Sequence, residues 1–175
     1  MATKKTAMFT LTERIRMTNT NEVEATIDLG SYVDVGDRQA LQVHSVDYVF
    51  QGTTAAENFP VSTLGGSGSI MIQVTDLNRG GLVFANDRAL VSSGYLSYDT
   101  DAFLSQDADL YPDNYGKGSD DGRYVVNDAL YISGLSTAVD TARAVNVTVR
   151  VNASIVTLSN KDFMAIAIQS TAADN

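Results

Sequence analysis

Seven aspartates lie between positions 99 and 121, at 99, 101, 107, 109, 113, 120 and 121, against one lysine, Lys117. Carboxylates two residues apart, Asp99 with Asp101 and Asp107 with Asp109, are the raw material of a general acid and base pair or of a hard-cation site. Acid–base chemistry lacks a partner, because the chain has one histidine, His44, and no cysteine. His44 sits midway along a strand-like run, and no Gly-x-Ser-x-Gly turn accompanies it. An enzyme would need His44 beside an acidic pair in a pocket; the expectation is that the chain is not one. A zinc site is nearly excluded by the same two counts. Calcium suits the acidic stretch better, since Asp99, Asp101, Asp107, Asp109, Asp120 and Asp121 with nearby carbonyls offer several oxygens. Asp107-Ala108-Asp109-Leu110-Tyr111-Pro112 nevertheless breaks the EF-hand pattern at its third ligand and lacks the glycine. A structural calcium and a solvated acidic surface both remain open.

Other motifs carry less. Gly65-Gly66-Ser67-Gly68 is glycine-rich, but neither a lysine followed by serine or threonine nor a helix-forming stretch comes next, so no phosphate loop is expected. Tyr98, Tyr111 and Tyr115 are possible sugar platforms in a chain without tryptophan. They suit burial against a neighbouring subunit equally well. Asn146-Val147-Thr148 and Asn152-Ala153-Ser154 fit a glycosylation sequon and, without an export signal, read as the polar side of a strand.

Net charge is −9, which keeps a folded body soluble and argues against broad nucleic-acid binding by it. Residues 1–17 hold Lys4, Lys5, Arg14 and Arg16 against Glu13, leaving eight basic and twenty acidic residues elsewhere. A small basic arm, flexible over 1–5, therefore precedes an acidic body. The N-terminus shows no sustained apolar export segment. No run approaches the roughly 18 apolar residues of a membrane span.

The elements that must position these groups are strands. From Val145 to Ile155 the odd positions are apolar and the even ones polar, the two-residue period of a half-buried strand. Ser159 and Asp162 then form a helix-capping pair, with Leu158 and Phe163 placed as a hydrophobic staple. Val23, Ala25, Ile27 and Leu29 alternate inward. Phe9, Leu11 and, after an interruption, Ile15 suggest an edge strand. In the run from Ala40 to Phe50, Leu41 and Val43 take one phase and Val46, Tyr48 and Phe50 the other, which predicts a bulge near His44 and Ser45. Further strands are expected at 70–74, 82–84, 89–91 and 123–132. A long acidic loop spans 99–121, with a helical turn near 101–104, and a turn region spans 133–141. With no crossover helices, the reading is all-β: one antiparallel β-sandwich over 1–175, a single jelly roll of about eight strands with a short C-terminal helix.

The basic arm with Lys4 and Lys5, the eight short strands, the glycine-rich and acidic loops and the closing strand Val145 to Ile155 together resemble small viral capsid proteins of the single jelly-roll type. The resemblance implies a virion structural protein, a self-assembling shell protein made in the host cytoplasm. Its partners would be copies of itself and other virion proteins, with weak nucleic-acid contact through Lys4, Lys5, Arg14 and Arg16. A phage tail-tube or decoration protein and a calcium-stabilised carbohydrate-binding module are the alternatives.

Overall fold

The computed structural model describes residues 2–18, 21–54, 56–61, 66–99, 104–109, 118–119, 122–137 and 144–171. One sheet is built on β12 (Ala144–Thr157), which pairs on one side with β1 (Thr3–Lys4) and β2 (Phe9–Met17) and on the other with β4 (Gln39–Thr53). It continues through β10 (Gly122–Val125) to β9 (Gly118–Ser119), with β5 (Asn58–Phe59) also on β4. The second sheet runs β3 (Val23–Asp28), β11 (Ala129–Thr137), β6 (Gly68–Thr75), β7 (Leu90–Tyr98), β8 (Leu104–Ala108). Ladders nest: β2 pairs with β12, β3 with β11, β4 with β10 and β6 with β7, all antiparallel. One long hairpin folded over itself gives this first-with-last pattern. It is the wiring of an eight-strand jelly roll.

The alternation in β12 explains the core. Val145, Val147, Val149, Val151 and Ala153 are fully buried between the sheets, while Arg150 on the opposite parity is exposed. On β2, Leu11, Ile15 and Met17 are buried in one phase, so the interruption at Glu13 is no change of register. The predicted bulge is present: Asn152 faces Ser45 but Ala153 faces Val43, so the register skips His44. That extra residue turns both Leu41 and Val43 and Val46 and Tyr48 into the same core.

Opposite, a lateral row across the second sheet reads Gly134, Ile72, Gly94. Both glycines are required by close approach. A Cβ on Gly134 would overlap Met17 Cε, and one on Gly94 would lie 2.8 Å from Tyr48 Cδ2. Large side chains of the first sheet thus fill the two gaps in the second.

Helix α1 (Asn160–Thr171) covers part of the first sheet's outer face. Phe163, Ile166 and Ala167 pack there with Ala40, Tyr124, Val126, Val156 and Leu158. Its start is capped as expected: the Asp162 amide donates to Ser159 Oγ at 3.2 Å, and the Ser159 hydroxyl donates to Asp162 Oδ2 at 2.7 Å. The carboxylate takes the hydroxyl rather than the Ser159 amide, a variation on the capping box.

Several expectations are corrected. The run 123–132 is two strands in different sheets, broken at Asn127 and Asp128, so Tyr124 and Val126 face α1 while Leu130 and Ile132 face the main core. Residues 133–137, expected in a turn region, extend β11, and 138–141 lie outside the described residues. Leu82–Phe84 is no strand: the Gln73 side chain accepts from the Val83 amide at 2.7 Å and donates to its carbonyl at 2.9 Å, replacing a ladder partner. The acidic stretch 99–121 is not all loop, since it holds β8 and β9. Of the predicted helical turn, 101–103 lie outside the described residues and Leu104 begins β8. Within the arm expected to be free, Thr3 and Lys4 pair with Thr157 and Val156, because β12 extends beyond β2 and leaves an open edge there.

Replacing Val149 with Asp should abolish soluble folding, because an unpaired buried charge costs several kcal/mol against about 5–15 for a domain; soluble yield and thermal melting check this. The Ser159 hydrogen bond holds the Asp162 carboxyl below the usual carboxylate range. Because the folded value is the lower one, its stabilisation is present above the unfolded pKa, about 4, and is lost as pH falls below it. Helical circular dichroism should therefore drop on acidification in the native chain, and Asp162→Asn should flatten that response.

Candidate functional site

Among the described residues, the acidic stretch does not converge on one point. Asp99, just after β7, accepts a hydrogen bond from Ser67 Oγ at 2.6 Å. Asp107 lies exposed on β8 opposite Tyr95, on the outer face of the second sheet. The Asp109 amide donates to the Ser93 carbonyl at 2.8 Å, and its carbonyl accepts from Ser92 Oγ. Asp101, Asp120, Asp121, Tyr111 and Tyr115 lie outside the described residues. Among the described residues, no group of three or more histidine or acidic side chains stands close enough to share a metal ion. Tyr98, expected at a subunit contact, is instead part of the main core with 4% of its surface exposed, because its parity on β7 turns it inward with Leu96.

What these residues do form is a shallow outer-face pocket of ≈ 190 Å³, lined by Met71, Ser93, Tyr95, Asp107, Ala108 and Asp109. Beneath it the Tyr48 hydroxyl donates to Ser92 Oγ at 2.9 Å, and the Ser92 hydroxyl donates to the Asp109 carbonyl. Burial pushes the Tyr48 phenol well up; the Ser92 hydrogen bond opposes this, and the Asp109 charge adds to it. A phenol kept neutral in this way is a structural link between sheets, not an acid.

His44 Nε2 lies 2.9 Å from Ser154 Oγ. Ser154 is fully buried, so no substrate can reach that oxygen, and the contact seals the bulge instead.

The basic residues fall into two groups. Arg14 and Arg16 point outward on β2, opposite Thr148 and Asn146, and Arg150 extends the same face two residues beyond Thr148. Asp47 faces Arg150 from β4. Lys4 faces Val156, eight residues along β12 from Thr148 and thus roughly 26 Å away at the rise of a strand. Lys4 and Lys5 do not join Arg14 and Arg16 in one cluster.

Sequence reasoning missed the most demanding polar group. Arg123 shares the inward parity of Val125 on β10 and is fully buried. Its guanidinium donates to Asp76 Oδ2 at 2.7 Å, to the Arg88 carbonyl at 2.6 Å and to the Leu90 carbonyl. Asp76, 1% exposed, follows β6, and its amide donates to the Ala89 carbonyl at 2.9 Å. The first sheet is thus clamped to the second where the chain turns between β6 and β7. The parity of Arg123 was the available signal, hidden because Asp76 reads as an ordinary turn residue.

No protein-family model and no curated protein matches the chain. Among solved structures it is similar to turnip yellow mosaic virus at 100 K, with 10% identity over 89% of this chain and 99% of that one, at a TM-score of 0.36. It is also similar to Desmodium yellow mottle tymovirus, with 10% identity over 89% of this chain and 92% of that one, at a TM-score of 0.30.

Asp76→Ala should lower stability by about 3–5 kcal/mol, since it leaves a buried guanidinium without its counter-charge. Asp76→Ala combined with Arg123→Met should lose less than the single variant, and denaturant titration of the two measures the difference.

Proposed function

We propose that the chain is a virion structural protein that assembles with copies of itself into a capsid shell. The observation that carries this reading is the distribution of exposed apolar side chains around a fully wired body. Met164 and Ile168 are exposed on α1, Met71 and Tyr95 on the outer face of the second sheet, and Val35 and Phe84 in loops. A subunit that meets several neighbours needs apolar contacts on several sides, whereas an enzyme or a lectin concentrates them in one pocket. The described polar clusters, Arg123 with Asp76, Tyr48 with Ser92 and His44 with Ser154, are spent inside the fold. In this reading Arg14, Arg16 and Arg150 offer a modest polyanion contact on the first sheet, with Lys4 and Lys5 further along it. A structural calcium on the acidic stretch would stiffen contacts there.

Negative-stain electron microscopy of the purified protein should show closed shells or regular capsomers. Tubes or rods would favour the tail-tube alternative. A monomer that loses stability in chelator and is retained on a sugar column would replace the shell reading with a carbohydrate-binding module. Deleting residues 1–5 should leave the melting temperature nearly unchanged, since only two ladder positions are lost, while altering particle size or nucleic-acid retention; no change in either would remove the role of Lys4 and Lys5.

A further inference from the structure

We propose that α1 of one copy seats its outer ridge in the outer-face pocket of the second sheet of another copy, making a head-to-tail contact. The inference rests on the self-assembling reading above and names the surfaces it would use.

The helix supplies the first half of the argument. From Phe163 to Ile168 it is apolar at six consecutive positions, Phe-Met-Ala-Ile-Ala-Ile. A helix docked on one sheet needs apolar residues on one side only. Here Phe163, Ile166 and Ala167 meet the first sheet, yet Met164 and Ile168 on the outer side remain 62% and 59% exposed. Met164 and Ile168 are one turn apart and form a ridge with Ala165 between them. Lys161 begins that ridge, three residues before Met164.

The second sheet supplies the other half. Leu135, Met71 and Tyr95 stand side by side on β11, β6 and β7, on an outer face where an antiparallel sheet ordinarily turns polar groups to water. Met71 and Tyr95 are 37% and 43% exposed and border the ≈ 190 Å³ pocket. Asp107, directly across the ladder from Tyr95, ends the strip with a carboxylate. Ridge and strip therefore share one order: a charge, then apolar groups, with opposite sign at the charged end. In a chain of net charge −9, copies repel in general, and a lysine meeting an aspartate selects one orientation. The two surfaces belong to different sheets' outer faces, so the contact is heterologous and closes only if successive copies complete a ring or shell. One ridge in one shallow pocket falls below the roughly 1,200 Å² of a stable pair, so the contact gains strength by repetition.

The chain has no cysteine, which allows a direct test with the full-length protein. Ala165→Cys and Ser93→Cys are prepared separately, mixed before assembly and oxidised mildly. The expected product is a disulfide between the two variants, exceeding either homodimer severalfold. A dominant Ala165→Cys homodimer would mean symmetric helix pairing and would overturn the proposal. Assembled particles without the mixed cross-link would overturn it while leaving the shell reading intact; absence of any assembly by the unmodified protein would remove the shell reading itself. In parallel, Lys161→Asp and Asp107→Lys should each weaken assembly about tenfold and the double variant should restore it; failure of the reversal to rescue counts against the pairing of these two charges.

Discussion

The placement of β12 between β2 and β4 is the constraint on which the remaining structure depends. Its inward valines form the centre of the first sheet, and both its edges are occupied along most of its length. Without it, β2 has no ladder among the described residues and β4 loses the partner that spans its whole run. The end of β12 also sets α1 at the outer face, because Val156 and Leu158 are part of the cluster that receives Phe163 and Ile166. Pairing of this kind joins residues far apart in sequence, so the entropy of closing the chain is met before most contacts form. Folding of such a domain is expected to be slow for its length.

Much of this was readable in the residues because one face of each strand is buried. Period-two alternation announced β3 and β12, a phase slip between Val43 and Val46 announced the bulge at His44, and Ser159 with Asp162 announced the helix start. The failures share a different cause. Tyr124, Val126, Leu130 and Ile132 keep one parity, but parity cannot tell which sheet a residue enters, so two strands looked like one. Leu82 to Phe84 had strand composition, yet Gln73 took the place of a neighbouring strand through its side chain. Tyr98 looked like a loop aromatic until its register on β7 turned it inward. In the candidate site, the basic character of the first 17 residues was legible, whereas its separation into two groups and the pocket beside Tyr95 depend on which strands lie next to one another.

The polar groups of the interior act as fasteners between layers. Tyr48 reaches from the first sheet to Ser92 in the second, and the glycine row opposite Met17 and Tyr48 lets the sheets approach. Such links tie the two layers at defined points, in addition to the apolar packing between them. The apolar side chains Met164 and Ile168 on one flank and Met71 and Tyr95 on the other lie outside this fastened interior.

The Arg123 and Asp76 clamp has a consequence for how this sequence can vary. Loss of either member strands the other's charge in the core, whereas exchange of both for apolar residues of similar volume is far less costly. Single steps away from the pair are therefore steep and the double step is shallow. The physics thus ties the two positions to each other, so that keeping both or replacing both is less costly than changing one, although 46 residues separate them in the chain.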